Sequence, residues 1–285
     1  MLTEVDRLLV ATPDAAAGAS AWKRVLGAEE VLRDAVPGLG SIRTVVRAGR
    51  SDIEFLQPDG TGPVADALAR RGRAHVWAAG AASTDPAAAA RTARSAGARV
   101  EAEDDRYHVE LEIEGAPIRF AVSPETERQP AGRLDFLYEA TVLAADQAGA
   151  VARIRDAFGL DETGFTTITS ELFGYTGVLT LFRPGQLHRF EVITPIDPTK
   201  TMGRYHAREG ASFYMGFAEA PDLTIIEAAI PAGGVTIDRP AGRSPSLNPD
   251  QVWIHPPTLG GVMLGVSRPS MAWMWSGYPD RVIPL

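Results

Sequence analysis

Ile53-Glu54-Phe55-Leu56-Gln57-Pro58 comes back three more times along the chain. The later copies are Arg119-Phe120-Ala121-Val122-Ser123-Pro124, Phe190-Glu191-Val192-Ile193-Thr194-Pro195 and Leu264-Gly265-Val266-Ser267-Arg268-Pro269. Each is an apolar strand with proline at its end, and proline cannot donate to a strand ladder. The same punctuation precedes every copy. An apolar strand opens it, at residues 5–11, 75–79, 139–144 and 212–217. An aspartate follows, Asp14, Asp85, Asp146 or Asp222, suited to cap the free N–H groups of a helix start. An Ala-rich or aliphatic run comes next, closed by Gly27, Gly97, Gly159 or Gly233, since glycine supplies the left-handed helix C-cap. Each copy therefore predicts β-α-β-β-β. One copy of roughly 60–70 residues is too small to bury a stable core alone, so copies must pair.

The predicted fold class is α+β: four βαβββ copies forming two cupped mixed sheets with helices outside. The first module covers residues 1–124 and the second 134–270, with an aromatic tail at 271–285. The polar stretch 124–133 reads as the linker between modules. Breaks between copies are expected near 58–71 and 195–210. The tail segment Met271-Ala272-Trp273-Met274-Trp275-Ser276-Gly277-Tyr278 is rich in bulky side chains and should pack on the body or on a partner.

Bulk properties narrow the function. The 285 residues carry a net charge of −8, which argues against a nucleic-acid surface. There is no cysteine, so disulfides and thiolate chemistry are excluded. The N-terminus lacks the basic and apolar regions of a secretory signal, and no apolar run approaches the ~18 residues of a membrane span. The expectation is a cytoplasmic protein whose partner is a small-molecule substrate or ligand, with neither nucleic acid nor membrane. A homodimer stays open. No phosphate-cradling glycine loop and no nucleophile elbow occurs.

Tandem βαβββ copies of this size resemble the vicinal oxygen chelate superfamily, which includes glyoxalases, methylmalonyl-CoA epimerases, extradiol dioxygenases and bleomycin-resistance proteins. Ile254-His255-Pro256-Pro257-Thr258-Leu259-Gly260-Gly261-Val262-Met263-Leu264-Gly265-Val266 looks like the closing strands of epimerase-like members. Val5-Asp6-Arg7-Leu8-Leu9-Val10 and Asp52-Ile53-Glu54-Phe55-Leu56-Gln57-Pro58 look like the opening and closing strands of a first half. The resemblance spans nearly the whole chain. It implies that each pair of copies curls into a cup for a small ligand. It also implies that metal-dependent members place ligands on the first and last strand of each half. In register with the closing prolines, the first module offers Arg7, Glu54, His75 and Phe120 at those positions. The second offers Glu139, Glu191, Ser212 and Gly265.

Neither set makes a metal site. Arg7 is a fixed cation suited to pair with Glu54, while Phe120 and Gly265 supply no donor. No metal and no other cofactor is therefore expected, with a divalent metal at Glu139 and Glu191 as the disfavoured alternative. The first cup reads as a closed cluster of Arg7, Glu54 and His75. The second reads as the working cup, with Glu139 and Glu191 as the catalytic pair and Ser212, Tyr214, Tyr175, Phe173, Arg204 and His255 binding substrate. The Glu-Leu-Phe-Gly-Tyr loop at 171–175 supplies aromatic walls, and Gly265 leaves room on the floor. Arg204, in a basic segment at 199–208, could hold an anionic tail. His188, Tyr205 and His206 stand near the rim. The alternative for the pair is structural: one glutamate bound to a neighbouring arginine such as Arg189 or Arg204. The leading expectation is isomerase- or lyase-like acid–base chemistry without a complete metal site. The alternatives are a metal-free binding protein that sequesters a small molecule, and a metal-dependent dioxygenase or glyoxalase-like enzyme with unrecognised ligands.

Overall fold

A computed structural model describes residues 1–285. The four βαβββ copies are present. The first is β1 (Leu2–Ala11), α1 (Ala15–Leu26), β2 (Glu29–Val36), β3 (Ser41–Ala48) and β4 (Ser51–Pro58), followed by a connecting helix α2 (Pro63–Arg71). The second is β5 (His75–Ser83), α3 (Pro86–Ser95), β6 (Arg99–Glu103), β7 (Arg106–Ile113) and β8 (Ala116–Pro124). The third is β9 (Phe136–Leu143), α4 (Gln147–Phe158), β10 (Thr166–Ser170), β11 (Tyr175–Leu181) and β12 (Arg189–Pro195), followed by α5 (Thr201–Glu209). The fourth is β13 (Ser212–Glu219), α6 (Leu223–Ala228), β14 (Val235–Asp238), β15 (Gln251–Ile254) and β16 (Leu264–Ser267). They build two curled eight-stranded sheets with helices outside, in the orders β2-β3-β4-β1-β5-β8-β7-β6 and β10-β11-β12-β9-β13-β16-β15-β14. No helix is long and apolar enough to cross a membrane.

All four aspartates cap their helices. Asp14 accepts from the Ala17 N–H at 2.9 Å, Asp85 from Ala88 at 2.7 Å, Asp146 from Gly149 at 3.0 Å and Asp222 from Thr224 at 2.9 Å. The glycine ends are less uniform. Gly27 and Gly159 are left-handed caps, at φ 67° and 59°. The cap of α3 is Ala96, with Gly97 the next residue at φ 80°. Helix α6 stops early at Ala228 with Ala229 as its cap, and Gly233 serves a turn before β14 instead. The breaks between copies fall at 58–71 and 195–210 as expected, and each holds a helix, α2 or α5.

By contact the chain divides into two compact units. One comprises Met1–Val5, Ala78–Thr126 and Glu139–Tyr214; the other comprises Asp6–Trp77, Glu127–Tyr138 and Met215–Leu285. The first unit holds most of the second and third copies. Its core is aromatic: Phe120 lies 4.6 Å from Phe190, 5.1 Å from Phe158 and 5.5 Å from Phe213, centroid to centroid. Offset and edge-on contacts of this kind are the favoured ring geometries.

The second unit holds most of the first and fourth copies. The Trp22 indole N–H on α1 donates to the Leu259 carbonyl at 3.1 Å. That approach requires glycine on both sides, because a Cβ on Gly260 would sit 2.8 Å from the Gly18 Cα and a Cβ on Gly18 2.5 Å from the Phe55 ring. The tail packs on this unit's body: the Trp275 ring lies 6.3 Å from Phe217, and the Ser270 N–H donates to Glu219 at 3.0 Å. Arg281 stacks on Trp273 and Tyr278 at 4.7 and 4.3 Å.

The repeated caps make a direct prediction. Asp85→Ala, which deletes the acceptor of a 2.7 Å bond, should cost about 1 kcal/mol in urea denaturation. An unchanged midpoint would mean that tertiary packing alone holds α3.

Candidate functional site

In the first unit β9 and β12 run parallel, with Arg189 opposite Glu139 and Glu191 opposite Thr141. Strand alternation turns these four side chains to one face. All four are buried: Arg189 and Thr141 are 0% exposed, Glu139 1% and Glu191 4%. Arg189 Nε donates to Glu139 Oε2 at 2.7 Å, and its Nη1 donates to the Leu187 carbonyl at 3.0 Å. Thr141 Oγ1 stands 3.0 Å from Glu139 Oε1 and 2.9 Å from Glu191 Oε2.

A threonine hydroxyl has one hydrogen, so it can donate to only one of the two carboxyls. The arrangement is satisfied when the other carboxyl carries a proton. Glu191 is that carboxyl. Burial pushes its pKa well above the ordinary value, and the adjacent Glu139 adds to the shift. Arg189 binds Glu139 directly and acts on Glu191 only as a lesser, lowering influence. Of two neighbouring carboxyls in unequal surroundings, Glu191, which lacks the guanidinium, is the one pushed up.

Around the pair lies an apolar and aromatic group. Leu143, Ile193 and Met202 are buried, and Phe173, Tyr175, Tyr205 and Tyr214 pack against them with part of their surface exposed. Helix α5 contributes Met202 and Tyr205, with the Tyr205 ring edge-on to Tyr214 at 5.0 Å. The Tyr175 phenol is pushed up by burial, then by the charges of Glu191 and Glu139. The Tyr214 phenol is pushed up to about 12, chiefly by burial and then by Tyr205. On β11, a Cβ at Gly177 would sit 3.2 Å from Glu191 Oε1, so glycine there lets the strand pass close to that carboxyl.

The structure therefore gathers Glu139, Glu191, Tyr175, Tyr214 and Phe173. Ser212 is buried, with its hydroxyl donating to the Gly210 carbonyl at 3.2 Å. Arg204 lies exposed on α5 with its guanidinium on the Thr199 carbonyl. His255 belongs to the other unit, where its ring bonds Thr236 at 2.9 Å and the Gly233 carbonyl at 3.1 Å. His188 Nδ1 accepts from the Val5 N–H at 3.1 Å, and His206 lies 3.0 Å from Glu114. Thr141 and Gly177 were not among the expected site residues, and Arg189 entered only through the structural alternative for the pair, whose arginine–glutamate pairing is the one found, with Glu139. Arg189 and Thr141 precede and follow the glutamates by two on adjoining strands, a spacing that strand alternation alone places on their face. The space expected beside Gly265 is occupied: a Cβ there would meet the Phe217 ring at 2.1 Å, so the glycine accommodates that ring.

The equivalent strands of the first copy, in the second unit, carry a closed ion network. Arg7 binds Asp6 at 2.6 Å and Glu54 at 3.1 Å. Arg43 reaches Glu54 at 3.5 Å and Asp34 at 2.6 Å, and Arg128 bridges Asp6 at 2.7 Å and Asp52 at 2.9 Å. Burial alone would raise Asp6, but the guanidiniums of Arg7 and Arg128 hold it below the usual carboxylate range. Arg128 comes from the stretch expected to be a simple linker, and it pins that stretch to β1 and β4. His75 Nδ1 lies 2.9 Å from the Arg73 carbonyl.

The metal of many proteins of this fold does not fit these residues. No group of three or more His, Asp or Glu side chains is placed to share an ion. Around Arg7 the carboxylates already face guanidiniums; around Glu139 one carboxylate is bound to Arg189 and no imidazole adjoins it. Transition-metal sites need a fuller donor set.

In sequence the chain matches no protein-family model and no curated protein. In fold it is similar to a triple mutant of 4-hydroxymandelate synthase from Streptomyces coelicolor, with a TM-score of 0.69 and 15% identity over 94% of this chain and 93% of that one. It is also similar to a xylose isomerase-like TIM barrel/4-hydroxyphenylpyruvate dioxygenase fusion protein, with a TM-score of 0.61 and 13% identity over 94% of this chain and 49% of the fusion. With these structures the chain shares its fold, four βαβββ copies in two curled sheets. At these identities the likeness is one of fold.

Two measurements probe the two clusters. Glu54→Gln removes the negative charge that faces both Arg7 and Arg43 and leaves one acceptor oxygen where there were two, and should lower the unfolding free energy by on the order of 3 kcal/mol. Urea denaturation reads it, and no loss would show the network to be slack. For Glu191 the sign follows from its raised pKa. The stability it confers is full in acid and is lost as pH rises through the folded value. Melting temperature should therefore fall with rising pH more steeply in the wild type than in Glu191→Gln. Parallel curves would place an ionised glutamate in the folded protein.

Proposed function

We propose that the protein is a small-molecule enzyme whose Glu139–Glu191 pair performs proton transfer beside a carbonyl, as an isomerase or lyase does. What carries the reading is the unequal setting of two buried carboxyls joined through Thr141: Glu139 is ion-paired with Arg189, and burial pushes Glu191 well above the usual carboxylate range. In the forward step Glu139 takes a proton from the carbon next to the carbonyl while Glu191 gives its proton to the carbonyl oxygen. Return of a proton from Glu139 to carbon, and of the enol proton to Glu191, completes an isomerisation with no net proton change. A carboxylate partnered by a guanidinium and a carboxyl with a raised pKa then stand side by side, as acid–base catalysis needs. The fold alone assigns no chemistry, because one fold hosts many reactions.

Metal-free sequestration is the second reading. It is favoured by the cluster of Phe173, Tyr175, Tyr205 and Tyr214 beside the pair, which offers a binding wall independent of any reaction. Deuterium exchange separates the two. A panel of small carbonyl compounds is incubated in heavy water, and loss of the adjacent C–H signal is followed by NMR. The wild type should exchange at least one of them, and Glu139→Gln and Glu191→Gln should each slow that exchange by roughly a hundredfold or more. Equal exchange in all three proteins overturns the mechanism. Binding without exchange in the wild type moves the assignment to sequestration.

A further inference from the structure

We propose that helix α5 is a lid over the Glu139–Glu191 pair, latched where its His206 meets Glu114 on the turn between β7 and β8. The inference rests on that pair being the working site, and it adds how a substrate reaches it. Glu139 and Glu191 are 1% and 4% exposed, so chemistry at them requires part of the chain to move aside.

Strand register places the cover. Thr141 and Glu191 lie opposite one another on β9 and β12, and Leu143 and Ile193, two residues further on, share their face. Helix α5 sets Met202 into a buried group with Leu143 and Ile193, and Tyr205 packs on the same group. The helix thus covers this face one step beyond the pair. It is lightly held. Only Met202 and Gly203 of its nine residues are buried, and Lys200 at its start makes no side-chain cap. Its far end is Gly210, at φ 66° and ψ −163°, a conformation essentially confined to glycine. A Cβ there would meet nothing within 4 Å, so this glycine serves the bend and not the packing. Gly203 seats the helix on its own lead, since a Cβ there would sit 2.4 Å from the Asp197 carbonyl oxygen. That lead is joined to the 171–174 turn: the Ile196 N–H donates to the Gly174 carbonyl at 2.9 Å, and Lys200 reaches the Glu171 carbonyl. Helix, lead and turn make one body. Elements with few buried contacts are those that open without global unfolding.

The latch is a separate observation. Glu114 adopts φ 53°, in the left-handed region that residues other than glycine seldom enter. From that turn its carboxylate makes two contacts distant in sequence. Oε1 accepts the Asp146 N–H at 2.6 Å, where α4 begins, and Oε2 lies 3.0 Å from His206 Nε2. Helix α4 is framework, packed on β7, β11 and β12. One carboxylate therefore holds the frame with one oxygen and the last turn of α5 with the other. The His206 contact is half-buried, and breaking it leaves Glu114 still bonded to α4.

The chain has no cysteine, so a single introduced thiol reports opening. Leu143→Cys and Ile193→Cys place it beneath α5. Val142→Cys and Val192→Cys place it on the other face of the same strands, the face on which Phe190 meets Phe158 of α4. Labelling by 4,4′-dithiodipyridine is followed in increasing urea below the unfolding transition. The thiols at 143 and 193 should react roughly tenfold or more faster than those at 142 and 192. Their urea dependence should be much shallower, because a lid exposes far less surface than unfolding does. Glu114→Gln and His206→Gln should each raise the rate at 143 and 193 about threefold, the worth of one partly exposed ion pair. Two reporters on each face keep the comparison intact if one variant fails to fold. Equal rates on the two faces, a urea dependence at 143 and 193 as steep as that of global unfolding, or no response to Glu114→Gln would each overturn the proposal. Opening without deuterium exchange on any carbonyl compound would retire the catalytic reading and leave the lid standing. Exchange in a protein whose thiols at 143 and 193 react only on global unfolding would do the reverse.

Discussion

The ion pair between Arg189 and Glu139 determines how charge is divided on the inner face of β9 and β12. Neither partner has measurable contact with water, and a buried carboxylate is tolerated only with such a partner. With Arg189 bound to Glu139, burial pushes the neighbouring Glu191 above the usual carboxylate range. Thr141 bonds both carboxyls, and Gly177 passes close to Glu191 with no Cβ in the way. The pair, its tyrosines and the apolar side chains of α5 form a single electrostatic unit.

The corresponding strands of the first copy solve the same problem differently. There Arg7, Arg43 and Arg128 meet Asp6, Glu54, Asp34 and Asp52, so that carboxylates and guanidiniums satisfy one another. Networks of this kind cost much to break from one side and offer little to a ligand, because their charges are already bound. Of these two copies of the βαβββ unit, one carries a cluster closed by internal pairing and the other a carboxyl, Glu191, whose pKa burial raises. A single arginine at 128, in the stretch between copies, shows how a linker becomes structural when it supplies the last countercharge.

Parts of this were legible from residue order. Asp14, Asp85, Asp146 and Asp222 mark helix starts because capping is local: the side chain and the N–H it accepts lie within a few residues. The pairing of Arg7 with Glu54 followed from strand register and charge. Gly233 and Gly265 were harder, since a glycine serves a helix end, a turn or a ring contact equally well and only the neighbour decides. The Phe217 ring over Gly265 is such a neighbour, and nothing local to residue 265 announces it. Helices α2 and α5 were missed because their polar, glycine- and proline-bearing sequences resemble loops, and α5 is held by packing Met202 and Tyr205 on the third copy.

The amino-acid sequence by itself determined the fourfold repeat, the α+β class and the absence of thiol chemistry. These depend on composition, periodicity and contacts within a few residues. The tertiary structure alone decided that Thr141 joins Glu139 and Glu191, that burial raises the pKa of Glu191, that Arg204 turns outward and that His255 lies in the other compact unit. The reason is physical: a carboxyl's protonation depends on burial and on charges brought near it by strand pairing, here residues 139 and 189, which only the folded sheet places side by side.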